Sequence, residues 1–168
     1  MKTQLITTIQ DLIAYRQNLS QHERVGFIPT MGALHEGHLS LISTSKQKDT
    51  HTFVSIFVNP TQFAPNEDFS KYPRNIQKDY DLCEKNGVNV IFAPQISEMY
   101  PSTDEITLNP PKNMGYVYEG FIREGHFSGV LAIVLKLFNL IRPHYAYFGQ
   151  KDAQQLLIIK KLVSDFFL

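Results

Sequence analysis

Residues 27–39 read FIPTMGALHEGHL, and this stretch decides the fold of the chain. Its first residues are apolar like a buried strand, Pro29 and Gly32 interrupt that strand, and an apolar helix-forming run begins again at His38. A strand that turns through glycines into a helix is the layout of a phosphate-binding site. The stretch therefore predicts an α/β protein with an anion site at this turn.

The turn has the groups that an anion needs. The first backbone N–H groups of a helix are unpaired and carry about half a positive charge, and Gly32 and Gly37 have no Cβ to keep an anion away. His35 and His38 share one helix face if the helix begins by His35, and a protonated imidazole would donate from both nitrogens. We expect a nucleotide's phosphates to rest on exposed amide hydrogens of this turn, beside the two imidazoles.

Two plainer interpretations of the turn compete with this one. A single glycine-rich turn with one histidine is more often an ordinary helix start. The run from His35 to His38 also resembles a zinc site, but the metalloprotease pattern needs its histidines four residues apart. Cys83 is the one cysteine of the chain, so thiolate ligands for a metal cage are lacking. We predict no protein-bound metal site.

Composition limits the class of protein. With 168 residues, 43% of them hydrophobic, the chain is long enough for one domain with a sizeable core. Sixteen basic residues balance sixteen acidic ones, which excludes a broad electrostatic field for nucleic acid or an anionic membrane. No apolar run approaches the ~20 residues of a membrane span, and a single cysteine suits a reducing compartment. We expect a cytoplasmic protein without nucleic-acid or membrane partners.

Hydrophobic periodicity predicts alternating helices and strands along the chain. Helices are predicted near residues 8–19, 38–48, 73–86, 126–141 and from about 150, and strands at 24–28, 52–58, 88–92 and 145–148. Apolar strands without polar alternation are typical of a parallel sheet that is covered on both faces. Residues 98–115 break the alternation, so we expect an insertion that folds over the site, with 106–108 as a candidate edge strand.

Polar side chains follow two of the predicted strands. Gln62 lies in the loop after the second strand, and Lys151 and Asp152 come after the fourth. Because the carboxyl ends of parallel strands meet at one edge of a sheet, we expect these side chains beside the histidine turn. Lys151 can neutralise phosphate charge, and Asp152 can cap a helix or hold ribose hydroxyls or a hydrated magnesium ion. Arg123 has two interpretations, a phosphate contact and a buried ion pair.

Residues 29–38, PTMGALHEGH, resemble the His-x-Gly-His signature of the nucleotidyltransferase superfamily, in the long form of the pantothenate synthetase (pantoate–β-alanine ligase) family. Further segments are similar to that family: NPTQF at 59–63, YPR at 72–74, REGHFSGV at 123–130 and FGQKDAQQL at 148–156. The resemblance covers all of the chain and implies a Rossmann-like parallel sheet. Gln150 and Ala153 depart from the family pattern, which has an acid and an aromatic residue at these positions.

The resemblance implies a role for each of these segments. His38, as proton donor, would act with His35 and Lys151 in catalysis. Gln62 and Gln155 would hold pantoate, and Gln62 would also contact β-alanine. ATP would be bound by two runs of residues: Met31, Gly32, Ala33, Leu34, His35, Glu36, Gly37 and His38, and Gly149, Gln150, Lys151 and Asp152. Magnesium would bridge the phosphates, Arg123 is a candidate for a further phosphate contact, and a homodimer is expected.

The implied reaction makes pantothenate, a precursor of coenzyme A, in two steps. The carboxylate of pantoate attacks the α-phosphorus of ATP and expels pyrophosphate, and the amine of β-alanine then displaces AMP from the pantoyl adenylate. Two alternatives stay open: another adenylyl or cytidylyl transferase with the same histidine turn, and a nucleotide-binding or dimerising fragment without turnover. Since the family continues beyond this length, we expect residues 1–168 to be its N-terminal ATP- and pantoate-binding domain, without the C-terminal domain.

Overall fold

The computed structural model describes residues 2–64, 67 and 69–168. In that part of the chain, the strands are β1 Gln4–Ile6, β2 Val25–Thr30, β3 His51–Ile56, β4 Val90–Phe92 and β5 Tyr145–Ala146. The α-helices are α1 Ile9–Asn18, α2 Glu36–Lys48, α3 Ile76–Lys85, α4 Ile96–Met99, α5 Lys112–Gly115, α6 Glu119–Ile122, α7 His126–Ile141 and α8 Ala153–Asp165. Short 3-10 turns occur at Pro60–Gln62, Phe69–Lys71 and Gln150–Asp152.

The strands form one parallel sheet in the order β1-β4-β3-β2-β5. β2 and β3 pair over their full length, from Val25 opposite His51 to Thr30 opposite Ile56. Most residues of both strands are buried, which is why their sequences are apolar without alternation. The predicted parallel α/β sheet is confirmed, and β1 is a strand that the sequence pattern did not predict.

Helices cover both faces of the sheet. Because successive strand residues point to opposite faces, Phe27 and Phe53 pack in the core beside α1, α7 and α8, whereas Ile28 and Val54 pack beside α2 and α3. The apolar helix α7 is buried along most of its 16 residues, in the centre of the first layer. No helix in the described part of the chain is long and apolar enough to cross a membrane.

The order of the strands creates a switch point between β2 and β5. The helix α2 carries the chain from β2 to β3 on one side, whereas β5 lies on the opposite side of β2. In open parallel sheets, ligands bind outside the carboxyl ends of the strands at such a point. The histidine turn follows β2 and the turn into α8 follows β5, so both segments flank it.

Residues 98–115, predicted as an insertion over the site, lie within the longer segment 96–122 and differ from that prediction. This segment forms the three short helices α4 to α6 joined by irregular chain, and residues 106–108 are not a strand. Gln154 of α8 donates its Nε2 to the carbonyl oxygens of Met114 and Val117, both at 2.7 Å, so the segment packs against α8. None of its described residues lines the cavity at the carboxyl edge of the sheet, so the expected insertion over the site was wrong.

Candidate functional site

A cavity of about 290 Å³ opens at the carboxyl edge of the sheet, beside the ends of β2 and β3. Its lining includes polar side chains from three separate parts of the chain: His35 and His38 at the start of α2, Gln62 after β3, and Lys151, Asp152 and Gln155 at the start of α8. The fold therefore brings these predicted site residues together at the predicted edge of the sheet.

His35 and His38 cap the first turn of α2. The Nδ1 atom of His35 accepts a hydrogen bond from the amide of Gly37 at 3.1 Å, and Nδ1 of His38 accepts from the amide of His35 at 3.4 Å. The ring centroids are 4.2 Å apart. Because each Nδ1 accepts a hydrogen bond, the ring proton of each histidine is on Nε2. Each ring can thus donate to a ligand through Nε2, but not through both nitrogens as expected for an imidazolium.

Burial lowers the pKa of His38 below its usual range, and the neighbouring His35 ring adds to this effect. Asp79 and Asp152 raise the pKa, and Lys151 lowers it. The net decrease keeps His38 uncharged at neutral pH in the protein itself. To an anion in the cavity, His38 can therefore offer an N–H dipole, and Lys151 can offer a positive charge.

The amides of the histidine turn are already paired within the protein. The buried carboxylate of Asp79 accepts from the amide of Ala33 at 2.9 Å and from that of Leu34 at 2.8 Å. The amide of Gly32 donates to Thr30 Oγ1 at 3.1 Å. We expected phosphates to rest on exposed amide hydrogens of this turn. At these three positions the expectation was wrong, because the amides already donate to the Asp79 carboxylate and the Thr30 hydroxyl.

The two predicted ATP-binding runs contribute unevenly to the cavity. From the first run, Met31, His35 and His38 line it, whereas Gly32, Ala33, Leu34, Glu36 and Gly37 do not. From the second run, Lys151 and Asp152 line it, whereas Gly149 and Gln150 are exposed beside it. These turn residues shape the backbone instead of forming the wall.

Gln62 is 8% exposed and is held from two sides. Its side-chain Oε1 accepts from Nδ2 of the fully buried Asn59 at 3.0 Å. Its backbone oxygen accepts from Nδ1 of His126 at 2.9 Å. Asn59, a neighbour of Gln62 in the family motif, thus lies behind Gln62 and does not line the cavity. Since Oε1 is engaged, Nε2 is the group that Gln62 can offer to a ligand in full.

Arg123 forms ion pairs and does not line the cavity. Its Nε lies 2.6 Å from Glu67 Oε1, and its Nη1 lies 2.8 Å from Glu119 Oε1 and 3.1 Å from His126 Nε2. The hydrogen bond from Arg123 is the main reason why the pKa of Glu67 is lowered. Of the two interpretations from the sequence, the structure has the ion pair, and the phosphate contact is not supported.

Lys151 and Asp152 lie in the 3-10 turn that leads into α8, and both are exposed at the cavity. Asp152 occupies the N-cap position of α8 without a side-chain capping hydrogen bond, so its predicted capping role is absent. The residue lines the cavity instead. Gln155 lines the cavity one helical turn further on, whereas the adjacent Gln154 holds residues 114–119.

Sequence reasoning did not identify the apolar part of the lining. The side chains of Phe57, Val130, Ile133, Val134, Leu137 and Phe148 form this wall, with Tyr72 at its rim. Most of them belong to α7, whose apolar residues cover more than one helix face. That excess of apolar surface was a signal that part of the helix faces something other than the sheet. The cavity thus has a polar side for charged groups and an apolar side for hydrocarbon.

The cavity offers little to a metal ion by itself. Within the described residues, no three His, Cys, Asp or Glu side chains are grouped so as to hold a metal. Among the described lining residues, Asp152 is the one carboxylate. Magnesium is typically held by one or two carboxylates together with substrate phosphates and water. Asp152 fits that mode of binding, in which the phosphates bring most of the ligands.

Known proteins match this sequence over nearly its whole length. Residues 4–168 match the family described as pantoate-beta-alanine ligase. The pantothenate synthetase of Helicobacter acinonychis (strain Sheeba) is 57% identical over 167 residues, which are 98% of this chain and 60% of that protein. The pantothenate synthetase of Wolinella succinogenes is 50% identical over 165 residues, again 98% of this chain and 60% of that protein. The chain thus spans about three fifths of the length of these curated relatives.

Solved structures share the fold. The pantothenate synthetase of Thermus thermophilus matches with a TM-score of 0.91 at 40% identity, over 98% of this chain and 58% of that one. The pantoate-beta-alanine ligase of Francisella tularensis, complexed with beta-gamma ATP and beta-alanine, matches with a TM-score of 0.95 at 42% identity, over 98% of this chain and 63% of that one. By sequence and by fold, this chain belongs to the pantoate-beta-alanine ligase family.

Proposed function

We propose that this chain binds ATP and pantoate in the cavity at the carboxyl edge of the sheet, and that it acts in the ATP-dependent joining of pantoate to β-alanine. The observation that carries the proposal is the convergence of two imidazoles, the ammonium group of Lys151 and the amides of Gln62 and Gln155 on one cavity. Phosphates need N–H donors and positive charge, and a hydroxy acid can be held by neutral amides. The cavity contains both sets.

The phosphate end of the site is formed by side chains. His35 and His38 donate through Nε2, and Lys151, which lines the same cavity, adds a positive charge. Because amides of the turn donate to the carboxylate of Asp79, these side chains and not those amides hold the phosphates. Donors fixed in advance stabilise the charge that develops as the α-phosphorus is attacked, without a covalent enzyme intermediate. His38 is the favoured donor because its ring is fixed by the helix cap and half-buried.

The acid end of the site holds pantoate. The amides of Gln62 and Gln155 bind its carboxylate and hydroxyl groups, and the wall formed by α7 faces its methyl groups. The carboxylate attacks the α-phosphorus of ATP and displaces pyrophosphate. The amine of β-alanine, placed beside Gln62, then attacks the acyl carbon and displaces AMP. Most of the acceleration comes from positioning the reactants and neutralising charge.

Magnesium, when bound, neutralises charge between the phosphates. Asp152 would hold it, directly or through water, from the rim of the cavity. The same carboxylate can accept from ribose hydroxyls. Asp152→Asn should therefore lower the affinity for Mg²⁺-ATP more than the affinity for pantoate, which calorimetry can measure.

A solved relative supports the assignment. The Francisella tularensis relative, 42% identical, is a pantoate-beta-alanine ligase complexed with beta-gamma ATP and beta-alanine. The chain covers about three fifths of its curated relatives, so binding without turnover is the second candidate function. We infer that residues 1–168 form the ATP- and pantoate-binding domain. Calorimetry with ATP and with pantoate, beside an assay for pantothenate and AMP, distinguishes the two functions.

The role of His38 can be tested in single-turnover experiments. The experiment uses a form of the protein that makes pantoyl adenylate. In that protein, His38→Ala should reduce the rate of pantoyl adenylate formation by ~10²-fold or more, as expected for loss of one preorganised donor. His22→Ala, at an exposed position far from the cavity, serves as the matched control. Equal rates for the His38→Ala variant and the control would exclude the proposed role.

The molecule that accepts the adenylyl group distinguishes this function from that of another nucleotidyltransferase. Gln155→Ala should weaken pantoate binding while ATP binding changes little, because the two ligands contact different sides of the cavity. The exposed Gln95→Ala is the control. Transfer of the adenylyl group to a different acceptor, with none to pantoate, would favour the alternative assignment.

We also infer a homodimer in the cytoplasm. The family resemblance supports the dimer, and the largely exposed side chains of Tyr118, Phe121 and Ile122 provide an apolar surface that a second copy can cover. A single cysteine suits a reducing compartment. Sedimentation equilibrium should give a dimer that Phe121→Ser weakens, and a monomer at all concentrations would contradict the inference.

A further inference from the structure

Asp79 is a buried acid in α3 that none of the reaction steps above uses. Its side chain is 2% exposed, on the same helix face as the fully buried Cys83. Acids are almost never buried in this way unless they are paired. Here both carboxylate oxygens accept from the histidine turn: Oδ2 from the amide of Ala33 and Oδ1 from that of Leu34, at 2.9 and 2.8 Å. Each oxygen of the acid is therefore paired with the backbone that precedes the two histidines.

We propose that Asp79 is a positioning residue of the nucleotide site: its carboxylate fixes the backbone of residues 32–34 and thereby aims the imidazoles of His35 and His38 into the cavity. Asp79 does not line the cavity, so it acts through the histidines and not on the substrate. The effect on ATP binding rests on the proposed function, whereas the effect on the histidine rings does not.

The turn needs such a support because of its backbone conformation. Gly32 has φ of 85° and Ala33 has φ of 52°, so two successive residues are in the left-handed region. Alanine rarely adopts that region, and such residues persist only where the surroundings hold them. Hydrogen bonds to a carboxylate are roughly twice as strong as bonds between neutral groups. Two of them converge here, one on Ala33 itself and one on Leu34.

The turn is also held at its other end. The amide of Gly32 donates to Thr30 Oγ1 at 3.1 Å, and Thr30 Oγ1 donates to the carbonyl oxygen of Ser55 at 2.6 Å. That end is therefore attached to the central strands β2 and β3. The Asp79 carboxylate attaches the following residues to α3, so the turn is fixed between the sheet and a helix.

The position of the turn is transmitted directly to the rings. Leu34 precedes His35, which is the N-cap of α2. The ring of His35 accepts from the amide of Gly37, and the ring of His38 accepts from the amide of His35. A change in the peptide between Leu34 and His35 therefore moves the donor for His38 and the cap residue itself. The two rings, with centroids 4.2 Å apart, should move together.

The carboxylate also determines where a phosphate can bind. In a glycine-rich loop, the backbone amides of the turn hold the phosphate. Here the Asp79 carboxylate occupies the amides of Ala33 and Leu34 as an internal anion. A negatively charged ligand is excluded from these two amides, whereas the Nε2 atoms of the two histidines and the ammonium group of Lys151 stay available to it. Asp79 thus directs the phosphate to these side chains in addition to fixing the imidazoles.

The test compares Asp79→Asn with the wild-type chain. Asparagine keeps the shape of the side chain, but its oxygen can accept only from one side while its NH₂ group faces the other amide. We expect the amides of Ala33 and Leu34 to exchange hydrogen at least ~10-fold faster, and the dissociation constant for ATP to rise about tenfold or more, in line with loss of a charged hydrogen bond. The ring ¹H–¹⁵N signals of His35 and His38 should shift together.

Asp81→Asn is the matched control, because Asp81 lies on the same helix, is exposed and accepts from Gln77 at 2.7 Å. It should leave the ring signals, the amide exchange and the ATP affinity unchanged. A folded Asp79→Asn variant with unchanged ring signals and ATP affinity would overturn the proposal and leave Asp79 a role in stability alone. If the wild-type chain binds no ATP, the proposed function fails, and the ring signals still decide the positioning role.

If Asp79→Asn does not fold, two other measurements test the proposal. In the wild-type chain, the amides of Ala33 and Leu34 should be strongly protected from exchange, and exchange at the rate of an unstructured peptide would contradict the proposal. Asp79→Glu keeps the charge but moves the carboxylate by one methylene group. In a folded Asp79→Glu protein the ring signals of both histidines should shift, and unshifted signals would also overturn the proposal.

Discussion

Asn59 donates its Nδ2 to Oε1 of Gln62 at 3.0 Å and, from the same nitrogen, to the carbonyl oxygen of Gly129 at 3.1 Å. Asn59 is fully buried, and its own oxygen accepts from the hydroxyl of Tyr100 at 2.8 Å. These bonds decide which end of the Gln62 amide is engaged by the protein. They also attach the loop after β3 to α7, so the orientation of the Gln62 amide, which lines the cavity, depends on a side chain outside it.

Replacement of Asn59 by alanine should lower both stability and pantoate affinity. The change leaves Gln62 Oε1 and the Gly129 carbonyl oxygen without their donor, which costs ~1–3 kcal/mol for a buried group. Urea denaturation measures the free energy of unfolding, and calorimetry measures the affinity. Asn139→Ala, where an exposed amide bonds to Leu135 within its own helix, should stay within ~0.5 kcal/mol of wild type. Equal stability of the two variants would contradict the structure of this network.

Acid should destabilise the fold through buried histidines before the carboxylates are protonated. Burial is the main cause that lowers the pKa of His126, and the Arg123 guanidinium lowers it further; burial likewise lowers the pKa of His38. Below the unfolded value of about 6.5, the unfolded chain binds more protons than the folded one. Stability must therefore fall as pH decreases from about 6.5 towards the folded pKa.

His126→Gln should make that decrease shallower. Without His126, the chain takes up at most one proton fewer on unfolding. The slope of the free energy of unfolding against pH therefore changes by at most about 1.4 kcal/mol per pH unit. Urea denaturation at a series of pH values between 7 and 5 measures it, and His22→Gln at an exposed site is the control. A slope as steep as that of wild type in the His126→Gln variant would show that His126 is not one of the responsible groups.

Cys83 should resist thiol reagents in the folded protein. Its side chain is fully buried in the core beside α2 and α3, and burial raises the pKa of the thiol to about 12. The thiolate is the reactive form, so both access and ionisation are lacking. Labelling at pH 8 followed by mass spectrometry should proceed only as fast as the protein unfolds. Prompt labelling in urea is the control, and prompt labelling of the native protein would contradict the burial of Cys83.

Gly26→Ala should be far more destabilising than Gly149→Ala. A Cβ at Gly26 would collide with the side chains of Ser45 and Asp49. Asp49 accepts from Tyr147 at 2.6 Å and from Ser45 at 3.0 Å, so neither side chain can move without breaking buried hydrogen bonds. Overpacking of this kind costs ~1–3 kcal/mol or more. A Cβ at Gly149 meets nothing within 4 Å, and thermal unfolding should show little change there.

The central part of the fold could be predicted because its sequence pattern is strong. Residues of β2 and β3 are apolar without alternation, which is what burial on both faces requires. β1 could not be predicted in the same way, since its three residues include only one buried side chain, Ile6, and show no period. Its place at the sheet edge is decided by pairing with β4, from Gln4 opposite Val90, a contact that is not visible in local sequence.

The site could be predicted in part for a similar reason. The rule that polar residues after parallel strands meet at one edge was sufficient to bring Gln62 and Lys151 near the histidines. The rule could not predict which side chains fix the position of these residues. Asp79 is an acid on an apolar helix face, which signals an anomaly but not its partners, 46 and 45 residues away at Ala33 and Leu34. The choice of Glu67 as partner of Arg123 likewise depends on tertiary packing.

The lining of the cavity extends along the chain from Pro29 to Gln155. During synthesis, the histidine turn leaves the ribosome before the turn into α8, so the cavity of a nascent chain is incomplete until α8 has docked on α7. A nucleotide bound there, as proposed above, would join the early and late parts of the polypeptide. By mass action, it should raise the melting temperature of the entire domain as one unit, in the manner of a chemical chaperone.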